Sequence, residues 1–426
     1  MNFEDNRIIE NFQKMYGKDV EVLNMQKERY TKLENEFLQK FDDATKYFFS
    51  SPGRTEIGGN HTDHNHGKVI AASVNLDSIA VVAKNQNQKI ILYSAGYSTH
   101  FEVDLNNLKI DENEKGTTAA LIRGIANRFT ELGFKIGGFS GCMTSDVLPG
   151  SGLSSSASVE VLIGAIFNNL FNEGEISAEV IAQIGQYAEN VYFGKPCGLM
   201  DQMACSVGRI VAIDFEDPAK PIVEKVEIDF NKLGHNLVIV DTGGNHADLT
   251  DDYSAVPAEM KSVAQYFGKS VLREVDENDV IASIPELRKV TNDRAIMRAI
   301  HFLDENKRVP KIVYALNNLD IERFLKLIKA SGDSSFKWLQ NIFTTKNINE
   351  QGVTLALALT EKYLNEIGEG ACRVHGGGFA GTIQIFIPSE AVDNYIERFE
   401  KVFRKGSAMR LNIRLVGAVL VNESAE

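Results

Sequence analysis

The sequence lacks any run approaching the roughly 18 consecutive apolar residues that a membrane-spanning helix needs. It also lacks a basic excess. The 426 residues carry a net charge of −13, which argues against a nucleic-acid binder, because such proteins present a basic patch or stripe. The same charge leaves an ATP site open, since phosphate binding is a local matter. Cysteine is scarce and scattered. Cys142, Cys197, Cys205 and Cys372 form no C-x-x-C pair, so reduced thiols are expected rather than a disulfide framework. The opening "MNFEDNRIIENF" has no basic segment followed by an apolar one; no secretory leader is expected, and a cytoplasmic protein is. Internal repeats and low-complexity stretches are missing too.

What is present is ordinary globular composition, 43% hydrophobic and 24% charged, on a chain long enough for two or three domains around a large core. Residues 1 to 48 contain no proline and read as helical, as in "IIENFQKMYG". "KVIAASVNLDSIAVVAKN" and "KIILYSAG" read as strands, with a turn at 85–88. "TTAALIRGIANRFTELGF" reads as an amphipathic helix stopped near Gly133. A buried strand, "LVIVDTGG", follows Gly234, and later helices give way to "GTIQIFIP" and a last strand in "NIRLVGAVLV". Helices and strands mix without a regular βαβ repeat, so an α+β protein of two halves is expected. The division expected is a helical extension over 1–48, a first domain over 49–235 and a second over 236–426.

Glycine marks the chemistry, once two decoys are removed. "GGGFAG" at 376–381 fits G-x-G-x-x-G but leads into a strand, where a dinucleotide fingerprint needs a helix. "GKS" at 268–270 lacks the upstream glycine of a Walker A motif, Val263 standing in that place. No G-x-S-x-G hydrolase signature occurs. "PGSGLSSSA" at 149–157 opens directly into an apolar helix. Gly150 and Gly152 allow close backbone approach, and the serines add hydroxyls. The helix start offers an anion site, or the loop merely caps that helix. "SPGRTEIGGNHTDHNHG" at 51–67 holds His61, His64 and His66 around Asp63, a spacing that also suits metal ligands. Asp201 sits among Leu199, Met200 and Met203, where a carboxylate needs a partner, a capping role or a reaction.

These stretches together resemble the GHMP kinases, and within them the galactokinases. "PGSGLSSSASVE" resembles their phosphate loop, "SPGRTEIGGNHTDHNHG" the galactokinase signature and "CRVHGGGFAG" the C-terminal glycine motif. "AENVYFGKPCGLMDQ", "DTGGNHADLTDDY" and "RAIHFLDENKRV" are further similar pieces, and the likeness spans roughly residues 48 to 420 in order.

The resemblance implies the two-domain GHMP architecture with the active site in the interdomain cleft. It implies transfer from MgATP to the anomeric hydroxyl of α-D-galactose. Gly150, Ser151, Gly152, Leu153, Ser154, Ser155 and Ser156 would cradle the ATP phosphates. Ser156 and Glu189 would ligate Mg2+, a donor pair that suits a cation keeping several waters. Asp201 would accept the sugar hydroxyl proton, with Arg54 holding it ionised and offsetting charge on the transferring group. Asn60, His61, Thr62, Asp63, Gly198 and Tyr253 would bind the sugar, and 372–381 would line the cleft. The partners implied are the sugar and ATP, with no nucleic acid and no membrane; the oligomeric state is left open, a monomer included.

Three positions depart from the family pattern. Asn60 replaces the usual glutamate, His64 the usual tyrosine, and Glu56 sits where asparagine is common. The position of Asn60 is the one expected to meet the sugar's C6 hydroxyl, so its lost charge admits a C6-modified sugar such as galacturonate. A non-catalytic sensor of the same fold is the alternative from another class.

Overall fold

The computed structural model describes the chain except residues 42–44, 148–151, 229, 245–248 and 423–426. The first part runs α1 (Asn6–Tyr16), α2 (Val20–Lys40), β1 (Tyr47–Gly58), β2 (Lys68–Lys84), β3 (Lys89–Ser94), β4 (Phe101–Asp104), α3 (Thr118–Glu131), β5 (Phe139–Ser145), α4 (Ser155–Phe171), α5 (Ala178–Tyr187), α6 (Met200–Val207), β6 (Ile210–Asp214) and β7 (Ile222–Val226). There follow β8 (His235–Asp241), α7 (Thr250–Tyr266), α8 (Glu277–Ala282), α9 (Ile284–Val290), α10 (Asp293–Asn317), α11 (Ile321–Ser334), α12 (Gly352–Ile367), β9 (Ala371–Val374), β10 (Thr382–Pro388), α13 (Val392–Val402), β11 (Ala408–Leu411) and β12 (Val419–Leu420).

The N-terminal segment before β1 forms two helices started by side-chain caps. Asp5 accepts from the Arg7 amide, and Asp19 from the amides of Glu21 and Val22. Phe12 and Tyr16 of α1 and Tyr30, Leu33 and Phe37 of α2 share one apolar cluster with Phe48, Ile79 and Val81 of the sheet. A buried charge cluster ties the same parts together. Asp77 on β2 accepts from Tyr16 Oη at 2.6 Å and pairs with Arg29 at 2.5 Å and Arg414 at 3.1 Å, with Ser50 as a further donor.

Strand β2 is the spine of the first sheet. Its apolar residues do not alternate, because α2 covers one face while α4 and α6 cover the other. It pairs antiparallel with β1 along its length, with β6 at its start and with β5 at its end; β5 in turn pairs parallel with β3. Helix α4 is apolar nearly all round and buried, as a central helix must be. The second sheet has the order β11-β8-β10-β9.

One expectation at the C-terminus is corrected. "NIRLVGAVLV" is not one strand of the second half. Its end forms β12, which returns to the first sheet and pairs Phe49 with Leu420. An apolar cluster also crosses between the sheets, joining Ile57, Ile70 and Leu153 to Leu237, Ile239 and Phe386. The two sheets therefore share an apolar core.

Candidate active site

One end of the candidate site is built where β1 meets the start of α4. Register shifts on β1 between Pro52 and Arg54, and between Glu56 and Gly58, re-aim its side chains. Gly53 is required there, because a Cβ would stand 2.9 Å from the Leu153 carbonyl oxygen. The Arg54 amide donates to that same carbonyl at 3.0 Å. Gly150 and Ser151 lie outside the described residues. Gly152 has a positive φ of 72°, and a Cβ on it would lie 2.8 Å from His375 Nδ1. Leu153 turns its side chain into the shared core.

Ser154 precedes α4 in the left-handed conformation, at φ 59°, and does not cap the helix. Its hydroxyl donates to Asp201 instead. The first amides of α4, from Ser155 and Ser156 onward, are thus left without a capping side chain, the arrangement that favours an anion.

Asp201 stands in the first turn of α6 and is held by Arg54 through two parallel bonds, Nε to Oδ1 at 2.7 Å and Nη2 to Oδ2 at 2.8 Å. The remaining Arg54 nitrogen donates to the Gly152 carbonyl. Desolvation pushes the Asp201 carboxyl up, but the Arg54 charge, its hydrogen bonds and Ser154 outweigh it and hold the group below the ordinary aspartate value. A carboxylate so held is ionised at neutral pH, and its side chain is 32% exposed, so it remains reachable.

Glu189 lies across the start of α4, in a π-helical turn over Ala188–Phe193. Ser156 Oγ and Lys195 Nζ both donate to its Oε1 at 3.0 Å. Gln202 Nε2 donates to its Oε2 at 3.0 Å and to Glu160 Oε2 at 2.9 Å. Burial, with Glu189 beside it, pushes the Glu160 carboxyl well above the usual range. A hydroxyl and a carboxylate meeting at one point, with a cationic ammonium already drawn to the same oxygen, are a donor set that fits a hard divalent cation.

The other end is set by the turn after β1. Asp63, His61, Gly198 and Tyr253 converge there. A Cβ on Gly198 would overlap the Asp63 carboxylate, so the glycine is what admits that side chain. Tyr253 donates to the Gly378 carbonyl at 3.0 Å and stacks edge-on against Phe379. His61 Nε2 donates to the Gly377 carbonyl at 2.9 Å; burial, then His64, lowers its pKa to about 3, so the ring is neutral. His64 stacks on His61 with ring centres 6.1 Å apart. Among the described residues no group of three or more His, Cys, Asp or Glu side chains is arranged to hold a metal.

Two sugar-binding expectations need correction. Thr62 is fully buried and donates to the carbonyls of Gly59 and Lys68, which closes the turn. Asn60 has 0% exposure, and both ends of its amide are engaged inside the protein. Its Nδ2 donates to both Glu56 oxygens, at 3.0 and 3.1 Å, and to the Gly376 carbonyl at 2.7 Å. Its Oδ1 accepts from Asn341 at 2.8 Å and Ser335 at 3.3 Å. The turn itself is pinned by α10, where His301 Nε2 donates to the Asn60 carbonyl and Glu305 accepts from the Gly59 amide.

Residues 120–209 match the GHMP kinases N terminal domain, and residues 35–84 match the galactokinase galactose-binding signature. The chain is 30% identical over 368 residues to the galactokinase of Glaesserella parasuis, covering 84% of this chain and 90% of that protein. The chain belongs to the galactokinase family of GHMP kinases. It is also 29% identical to the galactokinase of Clostridium acetobutylicum over 89% of its own length and 92% of that protein's. Among solved structures, a Lactococcus lactis galactokinase complexed with galactose superposes with a TM-score of 0.77 at 23% identity, over 91% of this chain and 98% of that one. A mevalonate kinase superposes at 0.60 and 16%, over 86% and 98%.

Against the galactokinase pattern, Glu56 and Asn60 have exchanged amide and carboxylate. The structure shows why the exchange is tolerated. The two side chains still bond to each other, and the displaced charge rests on Arg373, whose Nη2 is 2.6 Å from Glu56 Oε1 with both side chains buried. Sequence reasoning passed over Glu160 and Gln202, and placed Arg373 and His375 only within the cleft-lining stretch 372–381. Gln202 directly follows Asp201, and Glu160 lies one helical turn after Ser156, so spacing could have pointed to both. His375 wedges between β1 and the phosphate loop. Its Nε2 accepts from the Glu56 amide and Thr55, and its Nδ1 donates to Thr382. Burial, then Arg54 and Arg373, holds it neutral.

Proposed function

We propose that the protein phosphorylates the anomeric hydroxyl of α-D-galactose with ATP, yielding ADP and galactose 1-phosphate. The observation that carries this reading is the Arg54–Asp201 pair, closed by Ser154 at the start of α4. It puts an ionised carboxylate beside the helix end that would hold the phosphates.

The roles follow from position. The α4 start, with the loop residues Gly150 to Ser156, binds the ATP phosphates between the halves 49–235 and 236–426. Ser156 and Glu189 would hold Mg2+, which supplies charge neutralisation on the phosphates when bound. Asp201 takes the proton from the attacking sugar hydroxyl. Arg54 keeps that carboxylate ionised beforehand and orients it. Asp63, His61, Gly198 and Tyr253 shape the sugar pocket, where a hydroxyl that fails to pair is strongly rejected. With Asn60 engaged internally, Asp63 and the His61–His64 pair stand as the groups that meet the sugar.

A coupled ADP-release assay over a panel of hexoses and uronic acids tests this. Galactose is expected to lead. Release with galacturonate but not galactose would overturn the substrate, and the absence of release with every sugar would favour a sensor. Asp201→Asn is expected to lose about 10²–10⁴-fold in turnover while still binding ATP; turnover near wild type would remove Asp201 from the chemistry.

A further inference from the structure

Phosphoryl transfer needs positive charge on the moving group as well as a base for the nucleophile. Arg54 is poorly free for the first task, because each of its three nitrogens is already engaged, two on Asp201 and one on the Gly152 carbonyl. Lys195 is a second cation in the site, and its situation differs. Its ammonium is 3.0 Å from Glu189 Oε1, the same oxygen that accepts from Ser156. The carboxylate is fixed in the wall at 3% exposure, while the lysine reaches it from the solvent side at 62%. The segment carrying Lys195, from Gly194 to Cys197, has no regular structure and starts at a left-handed glycine, Gly194 with φ 84°.

We propose that Lys195 is a displaceable cation of the transfer site. Its ammonium neutralises Glu189 in the nucleotide-free protein. When the metal–nucleotide complex takes up Glu189, the ammonium turns onto the phosphate oxygens and carries part of the charge on the transferring group. The proposal rests on the kinase reading above. Its electrostatics are consistent. Desolvation opposes the charge on Lys195, but Glu189 and Asp201 more than restore it, so the group stays protonated.

Calorimetric titration of ADP into the sugar-free protein, with EDTA and with Mg2+, tests this. In Lys195→Met the bare Glu189 carboxylate repels the phosphates until a cation covers it. The ratio of the ADP Kd in EDTA to that in Mg2+ is therefore expected to rise about ten-fold over wild type. Lys195→Arg is expected to keep the ratio within about two-fold, since the charge remains. With MgATP and galactose, Lys195→Met is expected to lose at least about ten-fold in kcat with the sugar KM nearly unchanged. An unchanged ADP ratio, or a kcat within about two-fold of wild type, overturns the proposal. The ADP ratio is read without sugar, so it fails or holds independently of the substrate reading, which wild-type turnover tests.

Discussion

Replacing Asn60 by glutamate separates a residue that reads the sugar from one that holds the protein together. In the structure Asn60 Nδ2 faces the two oxygens of Glu56 at 3.0 and 3.1 Å and the Gly376 carbonyl at 2.7 Å, with no exposure to water. Asn60→Glu puts an acceptor where that donor stood, against three acceptors. Two carboxylates in such contact do not both stay ionised, so one is held protonated. Holding a glutamate protonated at pH 7 against an ordinary value near 4.3 costs about 3–4 kcal/mol. That is a large part of a typical folding free energy of about 5–15 kcal/mol. The sign with pH is definite. A carboxyl whose folded pKa is raised loses stability as pH rises above its unfolded value, so the deficit is small near pH 5 and grows toward pH 8. Melting temperatures of wild type and variant across that range are the assay. Adding Glu56→Asn restores the donor–acceptor contact and is expected to recover at least half of the loss, though Arg373 then lacks its partner. A deficit that does not change with pH, or an undisturbed protein with altered sugar preference, would refute the reasoning and return Asn60 to the sugar.

Two further predictions concern the other buried ion pairs. Arg54→Gln removes the charge that holds Asp201 down while leaving its burial, so the acid limb of kcat/KM is expected to rise by about 1–3 pH units; an unmoved limb would mean that Asp201 is not the group titrating. Asp77→Asn leaves Arg29 and Arg414 without their shared carboxylate and is expected to cost about 3–5 kcal/mol at pH 7, read from denaturant unfolding. Because Asp77 is held below its ordinary value by the two arginines, against desolvation, that deficit should be full above the ordinary aspartate value, shrink as pH falls below it, and vanish only in stronger acid.

Much of this protein was readable in its residue order. The run of "PGSGLSSSA" into an apolar helix, and the setting of the carboxylate in "LMDQ", are local chemistry: a glycine permits a backbone approach, a helix start attracts an anion, and a carboxylate among methionines needs a partner, a capping role or a reaction. Arg54, Ser156, Glu189 and Asp201 could be named before any fold was known because their stretches resemble the galactokinase motifs, and the structure brings them together. The helical extension and most strands followed from periodicity.

Other properties belong to the tertiary structure alone. Whether Asn60 faces a sugar or Glu56 depends on Arg373, Asn341 and Ser335, which lie some 275 residues or more away in the chain. Identity at one position says which bonds a side chain can make, and only the partners delivered by the fold decide which of them are already made. The return of β12 to the first sheet, and the reach of Lys195 onto the oxygen that Ser156 also touches, are decisions of the same kind. Sequence pointed to the reaction machinery through short motifs that resemble those of a known family. Packing between distant segments decided which of its polar groups remain available to a substrate.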